Sequence, residues 1–147
     1  MERHKMFIWS YRRFAYLVLF VVAFCLTELG RYVYRPFVYE RGLSDFGLAD
    51  TIGNHLGAVT LVFFILFVIH ATRVESYIVL GVVTLGYVVY EFAQRLLPGS
   101  TSDPKDMVAS LIGGVIALLL LRLVEVGVRR RSAFKNSMQS DGATRRR

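Results

Sequence analysis

Four carboxylates stand at corresponding places in two halves of this chain. Glu28 and Glu91 close hydrophobic segments, and Asp50 and Asp106 open the next ones. Each aspartate is followed, at steps of four and three, by a small polar residue and a glycine: Asp50–Asn54–Gly57 and Asp106–Ser110–Gly113. In a helix those steps lie on one face, so each half presents an acidic and polar cluster at the same level. Carboxylates and amides gathered in this way can grip a polar headgroup, a glycan or a partner helix. A facing pair can exchange protons as general acid and base. A converging set can also hold a cation.

Capping alone accounts for each aspartate taken singly, because a carboxylate in the first turn complements the positive end of the helix dipole. The glutamates are harder to dismiss. Glu28 and Glu91 lie at C-terminal helix ends, where negative charge is disfavoured, and so call for a compensating partner: Arg31, Arg95 or a bound cation. Gln94 joins Glu91 at the same helix end. The candidate binding set is therefore Glu28, Arg31, Asp50, Asn54, Glu91, Gln94, Arg95, Asp106 and Ser110, with no catalytic residue assigned. No His-x-x-x-His or paired-cysteine spacing is present, so no metal site is expected, and the residues name no cofactor. There is no glycine-rich phosphate loop either.

The elements that must position these side chains are membrane helices. Of 147 residues, 54% are hydrophobic, and the mean hydropathy is +0.46. Four apolar segments stand out, at roughly 10–29, 51–72, 76–94 and 106–127. The expectation is an all-α membrane protein of four transmembrane helices, arranged as two duplicated helical hairpins. Residues 1–133 form this domain, and 134–147, rich in Ser, Gly and Arg, form a flexible basic tail. The first segment has no small-x-small cleavage site after it and is read as a retained helix. Cys25, the one cysteine, lies in an apolar run and sets up no disulfide framework.

The net charge of +7 is concentrated at the ends: Arg3, Lys5, Arg12 and Arg13 at one, Arg129, Arg130, Arg131, Lys135 and Arg145 to Arg147 at the other. Basic flanks beside membrane helices are topology signals with anionic lipid headgroups as partners. Both termini are therefore expected in the cytoplasm, and nucleic acid is not a partner. The uncharged run Phe14–Thr27 spans only about 21 Å as a helix, against a hydrocarbon core of about 30 Å. Glu28 and Glu91 should thus sit near or just inside the outer boundary, where an ionised carboxylate must face other helices or water. That argues for a polar cleft opening outward.

Between Tyr32 and Tyr39, aromatic and basic residues alternate around Pro36, which reads as an interfacial anchor or as a segment covering the cleft. His55 falls on a different face from Asn54 and reads as a packing residue. His70 flanks a short hairpin, and Arg122 and Glu125, three apart, read as a local ion pair. The runs Leu61–Ile69 and Val115–Leu121 are wholly apolar, which counts against a through-pathway.

The stretch Glu91-Phe-Ala-Gln94-Arg-Leu-Leu-Pro98-Gly99, continuing through Asp103 and Asp106 to Ser110 and Gly113-Gly114, resembles the signature of VanZ-like membrane proteins. Glu91, Gln94, Asp106 and Gly113 occupy matching positions. Ser110 stands where the family usually has Asn, and no arginine follows Gly99. Asp50 is followed by Thr51 rather than Lys, with Asn54 in the place of the family's His. Outside this stretch the likeness is one of hydropathy. The resemblance implies a small polytopic protein of the bacterial inner membrane and cell envelope, associated in some members with resistance to glycopeptide antibiotics.

Three functions fit these residues, and whether the chain is an enzyme stays open among them. The leading one is a binding protein whose outward acidic and amide cluster takes a polar lipid headgroup, a lipid-linked cell-wall precursor or another membrane protein. The second is an enzyme acting on a lipid-linked substrate at the outer leaflet through paired carboxylates. The third is a small transporter or cation-binding unit, with duplicated hairpins enclosing a site.

Overall fold

The structure is a computed structural model that describes the backbone of residues 2–94 and 104–144, and the side chains of 11–94 and 104–134. The chain is helical throughout, with no strand among the described residues. Helix α1 (Glu2–Leu29) passes through a π-helical turn (Gly30–Tyr34) into the short α2 (Arg35–Glu40). Then follow α3 (Leu48–Ile69), α4 (Arg73–Gln94) and α5 (Pro104–Thr144). Four of its helical stretches are long and apolar enough to cross a bilayer, over Tyr11–Glu40, Leu48–Ile69, Arg73–Gln94 and Pro104–Phe134. The many exposed large apolar side chains on them, such as Val82, Leu85, Leu119 and Leu123, would be a liability in water and suit contact with acyl chains. The chain is a multi-pass membrane protein.

Residues 30–40 continue as helix beyond the first apolar segment, and through Pro36. A proline inside a helix removes one N–H and crowds the carbonyl four residues back. Here the widened turn just before it absorbs that conflict: the Arg35 N–H bonds five residues back, to the Gly30 carbonyl. Gly30 is also where the helix touches α3, since a β-carbon there would stand 2.6 Å from Ile52 Cδ1. The connection to α3 is thereby shortened to residues 41–47.

That connection is closed by Asp45. Its carboxylate accepts from the Gly47 N–H at 3.0 Å, from the Ala49 N–H at 2.6 Å and from the Tyr34 hydroxyl at 3.2 Å, satisfying donors that the first turn of α3 leaves without partners. Burial pushes this carboxyl up, but the Ala49 and Gly47 N–H groups and the Tyr34 hydroxyl outweigh it and hold it below the usual carboxylate range. A depressed folded-state pKa contributes stability that is present above the unfolded value and lost as pH falls through the folded one. Thermal melts in detergent should therefore drop below about pH 4, with Asp45→Asn showing a smaller drop over the same window. Parallel pH curves for the two proteins would contradict the cap.

The α3–α4 hairpin is tight. His70 adopts a left-handed conformation that ends α3. Thr72 and Glu75 then cap each other's backbone N–H groups, at 2.7 and 3.4 Å, in the reciprocal pattern of a capping box. Between the chain-terminus end and the middle of the bundle lies an apolar core. Val62, Phe63, Leu66, Ala117 and Leu121 are fully buried there, together with Tyr16. Tyr16 stacks at 6.0 Å on Phe63, and its hydroxyl meets Ser76 Oγ at 3.1 Å and Arg12 at 3.0 Å.

Helix α3 is central and touches α1, α4 and α5. Its approach to α5 depends on small residues: Ala109, Gly113 and Ala117 recur every four positions and are buried, the pattern that lets membrane helices come close. Helix α5 is longer than its apolar portion. Nothing between 134 and 144 breaks a helix already nucleated, and propagation adds one bond per residue fixed, so it continues to Thr144.

Candidate functional site

The close α3–α5 contact sets the site. Gly113 lies directly against the His55 carbonyl and 3.1 Å from Ala58 Cβ, measured from where its own β-carbon would be, and Gly114 is similarly pressed by Thr84 of α4. With the three helices this near, Asn54 of α3 and Asp106 of α5 come to the level of Glu91 on α4. Glu91 is only 3% exposed. It accepts a hydrogen bond from Asn54 Nδ2 at 3.5 Å, and Asp106 lies within electrostatic reach of it. Gln94, half-buried, ends the same helix one turn on. Ser110 is fully buried, but its hydroxyl donates to the Asp106 carbonyl at 2.9 Å and so serves the helix.

The other two carboxylates lie apart from this set. Glu28 pairs with Arg31 one turn along at 3.8 Å, both partly exposed. It stands at the margin of an open apolar groove of about 390 Å3 walled by Phe20, Phe24, Phe64 and Tyr87. Asp50 turns to the outer rim, bonded to the Tyr39 hydroxyl and to Arg35 at 3.4 Å. Among the described residues, no three acidic, histidine or cysteine side chains come close enough together to share a cation. The structure thus unites Glu91, Asn54 and Asp106 and gives Glu28 and Asp50 arginine partners of their own. Arg95 lies outside the described residues.

Two features escaped the reading of residue types. The first is a cleft of about 350 Å3 across α3 and α5, on the side away from Glu91, which includes His55 and Lys105. The nearest signal was the one-residue offset of His55 from Asn54, which turns it toward that other face. The second is at the opposite end of the bundle. Glu125, 6% exposed, does not form the local pair with Arg122. It accepts from the Tyr77 hydroxyl at 2.9 Å and meets Arg73 Nε at 3.2 Å, while Arg122 lies over the Tyr77 ring at 5.0 Å.

Fold and site together define a small four-span helical membrane protein with a buried acid–amide set at the end away from its termini. Set against protein-family models, curated proteins and solved structures, the chain shows no match.

Proposed function

We propose that this chain is a binding protein of the bacterial inner membrane, with both termini in the cytoplasm. Its Glu91–Asn54–Asp106 set takes the polar group of a lipid-linked molecule at the outer leaflet, a headgroup or a glycan precursor. The observation that supports this reading is the burial of Glu91. A carboxylate held at 3% exposure within a membrane helix is expensive, and Asn54 Nδ2 meets it at 3.5 Å. A ligand presenting hydroxyl or amide hydrogens suits an acid–amide set of this kind. The resemblance of Glu91, Gln94, Asp106 and Gly113 to the VanZ-like signature, and the similar openings of α3 and α5, are in keeping with a duplicated envelope protein.

A second reading is favoured by the approach of Asp106 to Glu91: the same pair acting as general acid and base on a lipid-linked substrate. Transport is disfavoured, since the helices below the site pack through Val62, Phe63, Leu66, Ala117 and Leu121, all fully buried.

Glu91→Gln separates these possibilities. The isosteric amide keeps the volume and the contact with Asn54, so membrane abundance should stay at the wild-type level. Lipid-linked material co-purifying with the wild-type protein should fall by about tenfold, the worth of one hydrogen bond to a charged group. An unchanged load of bound lipid would refute the binding reading. Turnover of an added lipid-linked substrate, abolished in both Glu91→Gln and Asp106→Asn, would establish the enzymatic one.

A further inference from the structure

The cleft across α3 and α5 has a chemistry opposite to that of the Glu91 site. It is lined by Thr51, His55, Lys105, Val108 and Ile112, with Phe46 at its rim. His55 Nδ1 donates to the Thr51 carbonyl at 2.9 Å. That bond fixes both the ring and its tautomer, and leaves Nε2 as an acceptor for a ligand hydroxyl. The Lys105 ammonium lies over the first turn of α3, 3.6 Å from where a β-carbon on Gly47 would stand. It thus adds its charge to the positive end of that helix. The nearby Asp45 carboxylate is engaged by the Gly47 and Ala49 N–H groups and the Tyr34 hydroxyl.

The rest of the cleft is apolar. Val108 and Ile112 are exposed on the flank of α5, one turn and two turns below its start, where acyl chains meet the protein. Phe46 is 98% exposed and held at a positive φ of 59°, a conformation uncommon for a bulky residue, which projects the ring from the rim at the level of the headgroups. A cationic mouth above an apolar wall, at the end of a membrane bundle, matches the two parts of one kind of molecule.

We propose that this cleft binds an anionic glycerophospholipid with a hydroxylated headgroup, its phosphate at Lys105, a headgroup hydroxyl donating to His55 Nε2, and an acyl chain along Val108 and Ile112. The site is separate from Glu91, on the other side of the α3–α5 contact, and does not depend on what Glu91 binds. A zwitterionic lipid fits less well, because its own cation would be brought toward the lysine and the helix end.

The test uses the full chain purified in a mild detergent. It is titrated with phosphatidylglycerol, phosphatidylcholine or inorganic phosphate, and adducts are counted by native mass spectrometry. The wild-type protein should retain one phosphatidylglycerol about tenfold more strongly than phosphatidylcholine. Lys105→Gln, at an exposed position that leaves the fold intact, should weaken that adduct by about tenfold, the worth of one charge-assisted hydrogen bond, and Lys105→Arg should retain it. His55→Gln should also weaken it. Equal retention of the two lipids would overturn the proposal, as would adducts indifferent to both Lys105→Gln and His55→Gln. Binding of inorganic phosphate with no lipid adduct would mean a site for free anions instead.

Discussion

Gly113→Leu is expected to abolish folded protein in the membrane, and Gly113→Ala to lower its stability by about 1–3 kcal/mol, the usual cost of overpacking. The reason is what stands opposite. A β-carbon on Gly113 would overlap the His55 carbonyl oxygen and crowd Ala58 Cβ at 3.1 Å. A carbonyl in mid-helix cannot swing aside, so α3 and α5 would have to separate. With them would go the seating of Asn54 beside Glu91. Gly57, at the corresponding place in the first half, makes a sharp control. Its added β-carbon would come 3.2 Å from the Tyr87 hydroxyl, the tip of a side chain that can turn. Gly57→Ala should therefore melt within about 0.5 kcal/mol of wild type. Thermal unfolding in detergent, followed by tryptophan fluorescence and by retention on size exclusion, would read both. If Gly113→Ala melted like wild type, the close approach of the two helices would be wrong.

The second large effect is expected at the opposite end of the bundle. Arg73→Met should destabilise the protein by about 2–3 kcal/mol. Breaking a buried ion pair by removing one partner costs about 3–5 kcal/mol, and the figure is reduced here because Arg73 is half-exposed. The loss arises from what is left behind: Glu125, 6% exposed, would keep only the Tyr77 hydroxyl on its one engaged oxygen. Its other carboxylate oxygen already has no hydrogen-bond partner. Removing the charge as well should restore most of the loss, because a well-packed apolar replacement of a buried pair is often neutral or better. The triple variant Arg73→Met, Tyr77→Phe, Glu125→Leu should hence be more stable than Arg73→Met alone. A double-mutant cycle on Arg73 and Glu125 measures the coupling directly. Additive losses would show that the pair contributes nothing.

These two cases mark what residue patterns can and cannot reveal. Four apolar stretches follow from hydropathy, because a helix must satisfy its own backbone wherever lipid surrounds it. That Ser110 and Gly113 share one face of α5 was legible from their spacing, but the close helix contact that this face makes shows only in the structure. The π-helical turn was not legible. Pro36 reads locally as a stop, and only the fit of Gly30 against Ile52 shows why the helix survives it. Nor could spacing tell which acids meet. Glu28, Asp50, Glu91 and Asp106 sit at matching positions, yet Arg31 and Arg35 claim the first two. Competition for partners is settled in three dimensions. Glu125 makes the same point, since Tyr77, 48 positions away in sequence, takes the place of the neighbour three residues before it.

The length of α5 has one more consequence. Its 41 residues extend about 61 Å, roughly twice the depth of the hydrocarbon layer, so its far tip stands about 30 Å clear of the acyl chains. Headgroup charge fades over about 8 Å at physiological salt. Arg129, Arg130 and Arg131, at the root of this rod, therefore feel the bilayer, and the turns near Thr144 do not. The tip of this rod stands in water, while its root lies among the headgroups.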